Sequence, residues 1–169
     1  MSEQPYEYFV EAVPTVDDLY TAERPSSLWR RLGDQWEYLS LVEWEWQNVK
    51  DTGVLYPPAL ESLIPVTAER AVVLEEDRQG WVRYWARYVD EQDWREGEAP
   101  TTVVRRRQSP EGVLDESYRG SKGFWGPTEA ILDFYDARKS NPPHLIELSV
   151  DEAESLLQEM FGVTGVTEL

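Results

Sequence analysis

The chain has 169 residues, no cysteine and one histidine, and its 33 acidic against 16 basic side chains give a net charge of −17. That excludes disulfide scaffolds, thiolate metal sites, cysteine nucleophiles and multi-histidine metal centres. It also argues against direct nucleic-acid binding, which needs cations to neutralise phosphates. With 41% hydrophobic and 12% aromatic residues, the chain carries core-forming material that disordered sequences lack.

Met1-Ser2-Glu3-Gln4 lacks the positive-then-apolar form of a signal peptide, and no apolar run approaches the ~18 residues of a membrane span. A cytoplasmic protein without membrane association is expected. The first periodic segment, Tyr6 to Val13, alternates as a half-buried strand does. A second strand follows Pro25-Ser26-Ser27 and ends at Arg30-Arg31, before the turn Leu32-Gly33-Asp34-Gln35. Trp36 to Gln47 predicts one long third strand. Period two sets Trp36, Tyr38, Ser40, Val42, Trp44 and Trp46 on one face, and Glu37, Leu39, Leu41, Glu43 and Glu45 on the other. Val42 and Trp44 are expected inside, Glu43 and Glu45 outside. Thr67 caps a helix over 68–78 that Gly80 ends.

The pattern then restarts. Tyr84-Trp85-Ala86-Arg87-Tyr88-Val89 resembles Tyr8 to Val13, and Glu98 to Arg106 resembles Glu23 to Arg31, 75 or 76 positions on. Pro57-Pro58-Ala59-Leu60 returns as Pro142-Pro143-His144-Leu145, and Leu63 to Thr67 as Leu145 to Ser149. The matches are collinear. In the second copy the strands are Trp81 to Val89 and a segment ending at Arg105-Arg106, followed by the turn Gln108 to Gly112. A helix over 129–138, after Gly126-Pro127-Thr128, is the insertion that widens the offset. Ser149-Val150-Asp151-Glu152 is a capping box, and Val150, Ala153, Leu156, Leu157, Met160 and Phe161 form the stripe behind it, with Gly162 as the stop. The tail from Val163 to Leu169 is expected to fray.

The fold expected is α+β: an internally duplicated β-β-β-α unit, mainly antiparallel, with helices on one face and a pseudo-twofold axis. The repeats span 1–79 and 80–169, the second with its inserted helix, and together they form one compact domain. Two fused copies can satisfy each other's edges, so a monomer is expected.

Chemistry is sparse. There is no GxxxxGK[ST], GxGxxG or GxSxG motif, and Gly120-Ser121-Lys122-Gly123 is a loop. His144, between Pro143 and Leu145, is a poor triad base. Asp17-Asp18, Glu75-Glu76-Asp77 and Asp90-Glu91 lack the alternation of a calcium loop. No cofactor or metal and no catalytic residue is expected. The recognition candidates are the aromatics Trp36 and Trp46, the acids Glu37, Glu43 and Glu45, and the recurring arginines Arg30, Arg31, Arg105 and Arg106. Trp, Tyr and Arg are the side chains enriched at interface hot spots, and Arg outnumbers Lys by 13 to 3. The arginines also have an internal role open to them, as ion-pair partners of the surrounding acids. The functional expectation is a non-enzymatic acidic protein that caps or inhibits a basic protein partner, as an immunity or inhibitor protein would. The alternatives are a nucleic-acid mimic, a hydrolase using paired carboxylates such as Glu43 and Glu45, and a structural component of an assembly.

Overall fold

The computed structural model describes residues 5–15, 18–52, 56–120 and 122–169. Met1 to Gln4, Asp17 of the Asp17-Asp18 pair and Ser121 of the glycine loop therefore lie outside the described residues. The fold is α+β, with two five-stranded antiparallel sheets and two compact units. One comprises residues 1–81 with 108–113, the other 82–107 with 114–169.

In the first unit β1 (Glu7–Glu11), β2 (Ser27–Leu32), β3 (Gln35–Leu39), β4 (Trp46–Asn48) and β5 (Ile64–Val66) are ordered β4-β3-β2-β1-β5. A one-turn helix α1 (Val49–Thr52) follows β4, and α2 (Ala68–Glu76) follows β5. The β2–β3 turn uses Gly33 at φ 60, which glycine adopts without steric cost. The Thr67 hydroxyl accepts from Arg70 N–H to start α2. Val10, Leu28, Leu39 and Leu41 of the sheet side pack with Ala71 and Leu74 of α2 and with Trp81. Phe9, Trp29 and Tyr38, their neighbours in sequence, pack with Leu63 in a separate cluster. Alternation thus buries both faces. Full burial of a side chain such as Leu28 contributes about 1.5–3 kcal/mol.

In the second unit the strands are β6 (Val82–Tyr88), β7 (Thr102–Ser109), β8 (Gly112–Arg119), β9 (Phe124–Pro127) and β10 (His144–Leu148), ordered β10-β6-β7-β8-β9. This is the strand order of the first sheet. The helices are α3 (Glu91–Arg95), α4 (Ala130–Tyr135) and α5 (Val150–Phe161). The Ser149–Glu152 capping box is formed and Gly162 closes α5 at φ 70. Ala153 and Leu157 pack with Val82, Tyr84, Val103 and Tyr118.

The registers correspond residue by residue. Tyr8 faces Arg30 and Val10 faces Leu28 in the first sheet; Tyr84 faces Arg105 and Ala86 faces Val103 in the second. Ile64 and Val66 sit opposite Val10 and Tyr8, as Ile146 and Leu148 sit opposite Ala86 and Tyr84. Each fifth strand then runs into a hydroxyl cap, Thr67 or Ser149. These correspondences fit an internal duplication. The Pro-Pro match does not take part: Leu60 lies in a 3₁₀ turn, whereas Leu145 is in β10 opposite Arg87.

The structure corrects three expectations. The segment Trp36 to Gln47 is two strands, because the chain turns at Ser40. The Ser40 hydroxyl accepts from Val42 and Glu43 N–H, offering the backbone an alternative to the ladder. Val42 is consequently 59% exposed rather than buried, and Trp44 is half-buried at φ 60. The helix expected over 68–78 ends at Glu76, and that over 129–138 spans Ala130–Tyr135. The tail does not fray. Val163, Val166 and Leu169 pack on the core of the second unit, and Val166 O accepts from Trp125 Nε1 at 2.7 Å.

Trp44 gives a first prediction. Trp44→Ala is expected to cost about 1–2 kcal/mol, below the ~3–5 of a fully buried tryptophan. Trp44→Gly should cost less than Trp44→Ala, since glycine relieves the left-handed backbone. Urea denaturation of the two variants checks the order, and a glycine variant less stable than alanine would refute it.

Candidate binding surface

The β2–β3 hairpin places Arg30 opposite Glu37. Arg30 Nε donates to Glu37 Oε1 at 2.6 Å, and its guanidinium lies 4.2 Å from the ring centres of both Tyr6 and Trp46. Aromatic faces attract a cation and a carboxylate neutralises it, so Arg30 holds Tyr6, Trp46 and Glu37 about itself. Arg31 donates from Nε to Glu7 at 3.0 Å and lies 5.1 Å from the Trp36 ring.

The second unit repeats the first arrangement. Arg105 Nε donates to Glu116 Oε1 at 3.0 Å, and its guanidinium is 4.1 Å from the Trp125 ring. Trp46 faces Leu39 as Trp125 faces Tyr118, so Glu37 and Trp46 correspond to Glu116 and Trp125. Arg106 makes a bidentate pair with Asp115, at 2.6 and 2.7 Å. Arg105 and Arg106 are each only 8% exposed, which places them in the interior with their acids.

Of the nine residues singled out by sequence, the structure brings together Arg30, Glu37 and Trp46, joins Arg31 to Trp36, and joins Glu43 to Glu45. Arg105 and Arg106 belong to the other unit. Their partners Asp115, Glu116 and Trp125 were missed. The signal for them was a pair of acids placed across the Gln108–Gly112 turn from a pair of arginines.

Glu43 and Glu45 are exposed on the turn after Ser40, where both accept from Gln47 Nε2, at 2.8 and 3.0 Å. A hydrogen bond shared with Glu45, and then the charges of Glu45 and Glu111, hold the Glu43 carboxyl above its ordinary value. Glu111 in turn accepts from the Ser40 hydroxyl at 2.7 Å. Burial first, then the charges of Glu111 and Glu43, push the Tyr38 phenol up. The result is an acidic turn that also carries the exposed Val42.

Elsewhere His144 stacks on Trp94, with ring centres 4.4 Å apart, and meets the edge of Phe134. Among the described residues no group of three or more His, Asp or Glu side chains could hold a metal ion. No described helix is long and apolar enough to cross a membrane. No protein family, curated protein or solved structure matches the chain.

Charge is sorted by the fold as a whole. Arg30, Arg31, Arg83, Arg105, Arg106 and Arg107 are drawn into the sheets, buried or half-buried. Among the described residues, exposed carboxylates outnumber exposed cations by 21 to 8, against 31 to 16 for all described acids and bases. Folding makes the surface more acidic than the composition.

Proposed function

We propose that this is a non-enzymatic acidic binding protein that caps or inhibits a basic protein partner inside the cell, acting as a monomer and without direct contact to nucleic acid. The observation that supports this reading is the segregation of charge: six arginines are drawn into the sheets while most carboxylates face solvent. Such a surface steers a cationic partner to it over a distance set by the ionic atmosphere. The exposed Val42 shares its turn with Glu43 and Glu45, and Glu111 is tied to the same Ser40, so an apolar residue and acids occur together as at an interface patch. A hydrolase built on Glu43 and Glu45 is less favoured. Both stand exposed on a turn rather than in a cleft that would desolvate a general acid.

The test is kinetic. A basic protein captured on the purified chain should associate about tenfold or more slowly at 0.15 M than at 0.01 M salt, as the Debye length falls from ~30 to ~8 Å. Dissociation should change far less, because apolar contacts are not screened. Glu43→Gln with Glu45→Gln should slow association and leave the melting temperature near that of the parent. A partner whose association ignores salt would refute the electrostatic reading, and turnover of a substrate would refute the non-enzymatic one.

A further inference from the structure

The two units carry a hollow at the same place, beside the helix that follows the fifth strand, and the two hollows differ in chemistry. In the first unit it measures about 150 Å³ and is lined by Pro25, Arg70, Val73, Leu74 and Asp77, with Arg24 and Trp81. Counting from the caps Thr67 and Ser149, the corresponding residues of the second unit are Glu152, Ser155, Leu156 and Glu159. All four line the second hollow, with Pro100 in the place of Pro25. That hollow measures about 470 Å³.

The difference has a visible cause. In the first unit α2 stops at Glu76, and a 3₁₀ turn over Arg78–Trp81 brings the chain back. Trp81 is 4% exposed and donates Nε1 to Leu74 O at 2.8 Å. Arg70 reaches over and donates Nη2 to Glu23 O at 2.9 Å. The chain thus occupies this hollow with its own tryptophan and arginine. In the second unit α5 runs on to Phe161, so no aromatic turns back, and Glu152 stands where Arg70 does. What remains is a floor of Ile146, Leu148 and Leu156 under a rim of Asp151, Glu152 and Glu159, with no cation among the lining residues. Ile146, Leu148 and Leu156 are half-buried and the three acids exposed. Glu152 accepts from Ser149 N–H, which holds its carboxyl below the ordinary value.

We propose that the groove between α5 and the β10–β6 edge takes, from a partner protein, an Arg side chain together with a bulky apolar residue beside it. The inference rests on the acidic-binding reading and names where that partner docks. The occupant is read from charge complementarity and from the first unit, where the same position holds an arginine and a tryptophan in cis. The apolar residue would cover the Ile146–Leu156 floor, and the guanidinium would meet the carboxylates of the rim, an anchor inside a charged surround.

The test uses fluorescein-labelled peptides built of Arg-Trp, Arg-Ser or Glu-Trp pairs, titrated against the full chain at low salt and followed by anisotropy. Arg-Trp is expected to bind about tenfold tighter than Arg-Ser, and Glu-Trp not to bind. Ser155→Trp combined with Glu152→Arg, which places an arginine and a tryptophan beside the groove in cis, should weaken the Arg-Trp peptide by about tenfold or more. Glu152→Arg gives up one capping bond, but α2 shows that a hydroxyl cap with Arg at this position starts a helix. Should the double variant melt early, Ser155→Trp alone and Glu159→Gln, both at exposed positions, carry the same expectation with smaller losses. Equal, salt-dependent binding of Arg-Trp and Arg-Ser to parent and variants would overturn the groove and leave the acidic-binding reading standing. Absence of binding by any basic peptide at low salt would overturn both.

Discussion

Asp115→Ala is expected to cost about 3–5 kcal/mol of stability, the range for removing one partner of a buried ion pair. Asp115 and Arg106 have side-chain exposures of 8% and 10%, so water cannot replace the lost carboxylate. The neighbourhood worsens the loss. Arg106 lies opposite Arg83 across the β6–β7 ladder, and Arg83 is itself 6% exposed. Two guanidiniums can face each other there because each has its own acid: Asp115 for Arg106, and Glu147 for Arg83 at 3.2 Å. Removing Asp115 takes away the carboxylate that meets Arg106 at two of its nitrogens, beside a second buried guanidinium. The double change Arg106→Met with Asp115→Leu removes the charge and its partner together and should recover most of the loss. Urea denaturation of the three proteins decides it. Asp115→Ala within 1 kcal/mol of the parent would mean that the pair is solvated, and the interior role assigned to these arginines would fall with it.

What was legible in the sequence was what local chemistry fixes. The caps Thr67 and Ser149, the turns at Gly33 and Gly112, and the strands that carry Tyr8, Arg30, Tyr84 and Arg105 each have a cause within a few residues. The α+β class and its antiparallel pairing followed from their order. The break at Ser40 was not legible, because the aromatic and acidic alternation of Trp36 to Tyr38 resumes in the same parity at Glu43 to Trp46. The hydroxyl bonds to Val42 and Glu43, the backbone bonds that join Ser40 to Trp44 and Glu45, and the left-handed Trp44 end the strand. The short helix α3 was missed for a related reason: its start is an Asp90 side chain accepting from Asp93 N–H, inside an acidic stretch that reads as solvated. For the candidate site, the recurrence of Arg30 and Arg105 was visible. Their aromatic and acidic partners come from strands β3, β4, β8 and β9, so their positions depend on hairpin registers that periodicity alone does not set.

Removing residues 163–169 is expected to cost about 3–5 kcal/mol, where a fraying tail would cost nothing measurable. The segment reads as a tail because Gly162 and Gly165, both left-handed, punctuate it and its apolar residues are few. Those residues recur every third position, however, and Val163, Val166 and Leu169 all pack on the cluster around Tyr84 and Tyr118. Partial burial of three such side chains contributes about 1 kcal/mol each. Hydrogen bonds tie the segment down further. Trp125 Nε1 donates to Val166 O, the Tyr84 hydroxyl donates to Thr167 O at 3.4 Å, and Gly165 N–H is held by the Glu154 carboxylate. Truncation leaves the half-buried Trp125 indole without this acceptor, a cost of about 1–3 kcal/mol. Because Trp125 also stacks on Arg105, the loss should spread: its fluorescence should shift to the red, and the Arg105–Glu116 pair should gain solvent. The contrast is Leu169→Ser, which removes one apolar contact and keeps every hydrogen bond, for a loss of about 1 kcal/mol. A truncated chain as stable as the parent would return the segment to the status of a frayed end, and the Trp125 indole would then need another acceptor.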